Sequence, residues 1–218
     1  MNPSTGSTVR AMTAQDLIDR FGPIPLARIR LDVSPGMATE EDLLRIRDRT
    51  DRLCELVDGI LVEKVMGYWE SYLAGLLLHF LNHFVRQHNL GIVAGADGMM
   101  RISRRRVRIP DVSFVSWARL PPGTLPTEPI PDLVPDLAVE VLSEGNTEQE
   151  MKEKRRDIFS NGCRLMWFVD HRTATIEVFT AMDRSIVLRE NQTLEGGDVL
   201  PGFSLRLTDL FTKPRPPG

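Results

Sequence analysis

135-PDLAVEVLSEGNTEQEMKEKRRDIF-159 reads, from left to right, as a buried strand, a turn and a basic helix. The strand carries a carboxylate in its middle. Glu140 lies within Leu137-Ala138-Val139 and Val141-Leu142, so both faces of the strand are apolar around it. Asp136, at the start of the strand, is expected to stay in solvent. Glu140 has no such exit. A buried, unpaired carboxylate is costly and must be neutralised, paired or bound to a metal. Lys154 and its neighbours on the following helix are placed to supply compensating charge.

Downstream, Gly162 matches a glycine helix stop, residues 164–170 (RLMWFVD) predict a second buried strand, and 174–180 with 184–190 predict a hairpin. Upstream, a proline-rich loop covers 120–135. Before it, 91–96 and 107–116 are expected as strands, with the arginine-rich segment between them as a hairpin connection. Residues 68–88 form the longest helical pattern. Leu73, Leu76, Leu77, Phe80, Leu81 and Phe84 recur at three- and four-residue spacing, and Gly91 is expected to end the helix. Earlier still, CELVDGILVEKV holds two apolar runs around Asp58-Gly59, a dipeptide favoured in two-residue hairpin turns. Helices over 13–20 and 39–50 are predicted from their N-caps, Thr13 and Thr39.

A hairpin followed by a strand–helix–strand crossover gives an α/β (α+β) fold: a mixed sheet flanked by helices. The expected organisation is a flexible start over 1–12, one domain over 13–211 and a proline-rich tail over 212–218, with no internal repeat.

With 218 residues, 42% hydrophobic and 26% charged, the chain suits a globular domain with a substantial core. No apolar stretch approaches a membrane span of roughly 20 residues. The start MNPSTGSTVR lacks an apolar signal region, and Cys54 and Cys163 have no metal-like spacing, so a cytoplasmic protein is expected. A net charge of −3 argues against coating nucleic acid over the whole surface, yet leaves room for a local basic groove. Two clusters qualify: Arg101, Arg104, Arg105, Arg106 and Arg108, and then Lys152, Lys154, Arg155 and Arg156. Either one alone also reads as a solvated turn or an exposed helix face. His79 and His83 share a helix face but lack a third zinc ligand at plausible spacing, and Ser71, Ser113 and Ser143 sit in no nucleophile elbow.

ELVDGILVE, PDVSFV, PDLAVEVLS, an EKRR helix and LMWFVD, in this order, resemble the Uma-type restriction-endonuclease family of the PD-(D/E)XK nuclease superfamily, over residues 13 to 211. The resemblance implies a restriction-endonuclease-like core and a DNA endonuclease. Pro110-Asp111 is similar to the PD element and Glu140 to the acidic residue of (D/E)XK. Leu142 stands where that element has lysine, and the resemblance implies a lysine from the next helix instead: Lys154, with Lys152 second. It also implies Asp111, Glu140 and the Val141 carbonyl as ligands of Mg²⁺, with Mn²⁺ as a substitute. Glu55 resembles a glutamate of the upstream hairpin, and Glu70 an acidic residue on the first core helix; both are auxiliary candidates. Arg104, Arg105, Arg106 and Arg155 are the candidate DNA contacts, and a homodimer is expected for a double-stranded target.

The chemistry is consistent with that set. Hydrolysing a phosphodiester needs an activated water and stabilisation of phosphate charge, both of which a bound Mg²⁺ supplies, and Mg²⁺ favours one or two carboxylates plus water and phosphate. Two other readings stay open: a nucleic-acid-binding or regulatory module with weak or lost cleavage on the same fold, and a hydrolase of another phosphate ester.

Overall fold

A computed structural model describes residues 12–214. In chain order the elements are α1 (Ala14–Phe21), β1 (Ile29–Arg30), α2 (Glu40–Thr50), β2 (Cys54–Val57), β3 (Ile60–Glu63), α3 (Tyr68–Gln87), β4 (Gly91–Ala94), β5 (Met100–Ser103), β6 (Arg106–Arg108) and β7 (Val112–Ser116). The second half holds β8 (Leu137–Val141), α4 (Glu148–Ser160), β9 (Leu165–Asp170), β10 (Thr175–Ala181), β11 (Arg184–Arg189), β12 (Thr193–Glu195), β13 (Ser204–Arg206) and α5 (Leu207–Phe211). The expected flexible start falls outside the described residues except for residue 12, and the expected tail does so from residue 215 onward.

A six-stranded mixed sheet runs β11-β10-β9-β8-β7-β4, with β8 and β9 parallel and the other neighbours antiparallel. The parallel pair needs a crossover, and α4 provides it. Thr147 starts α4 with a capping box: its side chain accepts from the Glu150 N–H while the Glu150 side chain reaches back to the Thr147 N–H. Strand alternation sends Leu137, Val139 and Val141 to one face, where Leu73, Leu77, Leu81 and Val85 of α3 cover them together with Trp167. Ala138 faces the other way, into a cluster with Met151 and Ile158 of α4. Glu140 shares that second face by the same alternation. A Leu77→Ala change in the first cluster would cost about 2–5 kcal/mol, because it removes transfer energy and leaves a cavity.

The expected hairpin around Asp58-Gly59 is present as β2–β3. Asp58 (φ 49°) and Gly59 (φ 84°) both lie in the left-handed region, as a two-residue type I′ connection requires. This hairpin belongs to a second, antiparallel sheet of order β1-β3-β2-β6-β5. Here the sequence reading needs correction. The arginine-rich segment is not a connection between two strands of one sheet: it is itself the hairpin β5–β6, turning at Arg104-Arg105 and pairing with β2. The apolar run over 107–116 is divided by Pro110, which has no N–H for a ladder. Val107 pairs in the five-stranded sheet and Val112 in the six-stranded one. The chain therefore crosses between sheets at Ile109-Pro110-Asp111.

Two further corrections are local. α3 ends at Gln87 with His88 as its cap, and Asn89 (φ 50°) makes the left-handed turn; Gly91 instead begins β4, where a Cβ would meet the Val115 carbonyl. Asp136 is buried rather than solvated. The Ser116 N–H and the guanidinium groups of Arg119 and Arg164 converge on it and replace its water. Strands β12 and β13 with helix α5, absent from the sequence reading, close the α3 side of the sheet through Leu205, Leu207 and Leu210.

Candidate active site

β7 and β8 pair with Val112 opposite Val139 and Ser113 opposite Ala138, and continuing this register sets Asp111 against Glu140. The Asp111 N–H donates to the Val139 carbonyl at 2.9 Å, and the Val141 N–H donates to Asp111 Oδ2 at 2.6 Å. Two backbone contacts thus lock the aspartate at the point where the chain changes sheets. Lys154, from α4, places Nζ 2.7 Å from Glu140 Oε1 and 2.8 Å from Glu55 Oε1. Glu55, on β2, also accepts from the Ile109 N–H at 2.9 Å and from Arg108 Nη1 at 2.7 Å. The site therefore sits on the seam between the two sheets, and all of these residues are buried.

The electrostatics separate the two glutamates. Burial pushes the Glu55 carboxyl up, but the charges of Lys154 and Arg108 outweigh it and bring it down to about 2. Burial also pushes Glu140 up. There the carboxylates of Asp111 and Glu55 add to the effect, Lys154 and Lys64 only partly oppose it, and the result is about 8. Burial alone would lower the Lys154 ammonium, yet Glu140 and Glu55 hold it above its ordinary range, so it stays charged. The two carboxylates share one ammonium, but Glu55 also has Arg108 and the Ile109 N–H, which leaves Glu140 the weaker anion. The Lys154 ammonium is the one donor group that the structure records at Glu140 Oε1 among the described residues.

Sequence reading missed Lys64, and it placed Arg108 in a basic groove where the structure buries it between carboxylates. Lys64, just past β3, puts Nζ 2.8 Å from Asp111 Oδ1. Arg108 joins Glu55 to Asp157 of α4 through opposite ends of its guanidinium. Alternation in Arg106-Val107-Arg108 was the available signal: Val107 is fully buried and the two arginines share the opposite face. For Lys64 the signal was only its place at the end of a strand of the hairpin.

The remaining candidates lie elsewhere. Glu70, at the start of α3, is 3.9 Å from His171 Nδ1 and lines no part of this pocket. Lys152 is exposed and pairs with Glu148 at 2.5 Å along its own helix. Arg106 is engaged by Asp58 and Asp157, and Arg105 donates to the carbonyls of Gly36 and Asp58. Arg104 is exposed at the β5–β6 turn, and Arg155 lies 4.4 Å above the Phe179 ring.

A pocket with about 20 Å³ of free space, room for roughly one water, opens between Lys64, Asp111, Glu140 and Lys154. With every group ionised, three carboxylates and two ammonium groups leave one negative charge, and the Arg108–Asp157 pair leaves that unchanged. Among the described residues no group of three or more His, Cys, Asp or Glu could hold a metal. Two opposed carboxylates, one of them served only by a shared ammonium, still fit Mg²⁺, which keeps most of its waters and takes few protein oxygens.

The mixed sheet with this crossover and flanking helices is a restriction-endonuclease-like fold, shared with a solved structure. A crystal structure titled as that of a "putative nuclease belonging to DUF820" from Anabaena variabilis ATCC 29413 is similar: its TM-score is 0.69 at 18% identity, covering 80% of this chain and 97% of that one. Residues 40–208 match the profile of the Uma2 family, described as "Putative restriction endonuclease", and the chain belongs to that family. No curated protein matches it.

Proposed function

We propose that this chain is a divalent-metal-dependent endonuclease that hydrolyses phosphodiester bonds in DNA. The observation that carries the reading is the register-opposed pair Asp111 and Glu140 with the Lys154 ammonium 2.7 Å from Glu140, in a buried pocket of a chain from a nuclease-like family. Asp111, Glu140 and the Val141 carbonyl would hold Mg²⁺, or Mn²⁺ in its place. Such an ion, when bound, lowers the pKa of a water and screens charge on the phosphate. Lys154 remains charged in its buried place and orients the attacking water or the scissile phosphate. Glu55, fixed by Arg108 and the Ile109 N–H, holds Lys154 in position. Of the four candidate arginines, Arg104 is exposed and Arg155 has no carboxylate partner recorded, so these two are assigned to the DNA backbone. One such site per chain cuts one strand, so a homodimer is part of the reading.

Cleavage of supercoiled plasmid by wild type, Glu140→Gln and Lys154→Met, with Mg²⁺, Mn²⁺ or EDTA, tests it. Nicking that needs metal and vanishes in both variants supports the assignment; equal nicking in all samples overturns it. The rival reading, a binding module without turnover, draws on Leu142 at the superfamily's lysine position and on the ion pairs that occupy both carboxylates. It predicts salt-dependent DNA binding with no thermal protection by Mg²⁺.

A further inference from the structure

Lysine is scarce in this chain, with four residues among 27 Lys and Arg. Two of the four, Lys64 and Lys154, meet in the one carboxylate pocket, and they are held differently. Lys154 bridges two carboxylates, its side chain is 6% exposed, and withdrawing it would strand both anions in the interior. Lys64 touches a single carboxylate, Asp111 Oδ1. Its other partners are neutral, the carbonyls of Ile109 at 2.8 Å and Ala96 at 3.3 Å. The Lys64 side chain is 11% exposed, and the chain after it, Val65 to Gly67, belongs to no helix or strand, with Val65 itself 53% exposed. An outward path for the ammonium is therefore short.

Asp111 Oδ2 already accepts from the Val141 N–H, so Oδ1 is the freer oxygen, and it is the one that Lys64 covers. The charges agree with this picture. With Lys64 in place and every group ionised, the pocket carries one net negative charge. With Lys64 withdrawn and Glu140 ionised, as metal ligation requires, Glu55, Asp111, Glu140 and Lys154 leave two, which matches a divalent cation.

We propose that Lys64 is a resident cation that stands on Asp111 in the metal-free protein and swings to solvent when a divalent ion binds. This rests on the reading of Asp111 and Glu140 as metal ligands. The lysine keeps Asp111 from being a bare buried anion before the ion arrives, and any ion must compete with it.

The test is amine acetylation of the full wild-type chain, read by mass spectrometry with Mn²⁺ or with EDTA, alongside calorimetric titration of Mn²⁺. Acetylation of Lys64 should rise severalfold with Mn²⁺, while buried Lys154 stays protected and exposed Lys152 serves as the constant standard. Lys64→Gln, whose amide can still donate to the Ile109 carbonyl, should bind Mn²⁺ about tenfold more tightly if Lys64 covers the site nine-tenths of the time. Mn²⁺ binding with Lys64 still protected overturns the displacement and leaves the metal reading standing. No Mn²⁺ binding by either protein overturns both.

Discussion

Two carboxylates belong to the β8 segment, Asp136 just before the strand and Glu140 within it, and they have opposite surroundings. Asp136, at one end, accepts from the Ser116 N–H at 2.8 Å, Arg119 Nε at 2.8 Å and Arg164 Nη2 at 3.0 Å. Burial pushes its carboxyl up, but the Arg119 and Ser116 hydrogen bonds outweigh that and hold it below the ordinary range. Glu140, near the other end, meets one ammonium already shared with Glu55 and is pushed up to about 8. Both are acidic residues of one apolar segment, four positions apart, and both are buried. What separates them is the number of donors aimed at each. A filled set of partners suits a carboxylate that holds the fold; an underserved one in a pocket suits the metal-holding role proposed for Glu140.

Cleavage assays offer the sharpest way to break this contrast. Asp111→Asn and Glu140→Gln should each lower metal-dependent plasmid nicking by about 10²–10³-fold or more, the scale on which buried electrostatic groups act. Asp136→Asn should leave the rate within about threefold while lowering stability by roughly 1–3 kcal/mol through imperfectly satisfied donors. Equal rate losses at Asp136 and Glu140 would erase the distinction.

Next in size is the support under the pocket. Arg108→Met strands Glu55 and Asp157 without their guanidinium, so urea unfolding should show a loss of about 3–5 kcal/mol. A loss below about 1 kcal/mol would mean that the two acids find other partners.

The pH dependence of stability in EDTA should run in opposite directions at the two ends of β8. The Glu140 value rises from 4.5 to about 8 on folding, so its contribution is full below 4.5 and is lost as pH climbs through 8. Asp136 is depressed below 3.8, so its contribution is present above 3.8 and is lost as pH falls through the folded value. Urea midpoints should therefore decline less between pH 4.5 and 8 in Glu140→Gln, and less below pH 3.8 in Asp136→Asn. Exchanged effects would invert the assignment.

The smallest effects belong to the surface arginines. Arg155→Ala or Arg104→Ala should weaken DNA binding a few-fold and reduce the salt slope by about one, as for single phosphate contacts. Arg106→Ala, whose guanidinium is committed to Asp58 and Asp157, should lower stability and leave the slope nearly unchanged. These outcomes are measured by fluorescence anisotropy across a salt series.

Local chemistry was legible in the sequence wherever it acts over a few residues. Thr13 and Thr39 start helices as N-caps, Asp58-Gly59 turns a hairpin, and the leucine spacing of α3 forms one face of the core. Glu140 stood out because five apolar neighbours left it no exposed face, and Lys154 because it follows on the next helix. Those signals depend on backbone preference and hydrophobic period, which neighbouring residues set. Asp136 was misread for the same reason. Its burial is imposed by Arg119 and Arg164, whose approach no local pattern reveals. The division of 107–116 between two sheets, the pairing of Lys64 with Asp111 and the Arg108 bridge from Glu55 to Asp157 arise only when distant strands pair. A charged side chain takes its partner from whatever the fold brings within about 3 Å, and in a buried site that choice sets its charge state. The amino-acid sequence alone determined the elements and the suspect carboxylate; tertiary packing decided which cations reached each acid.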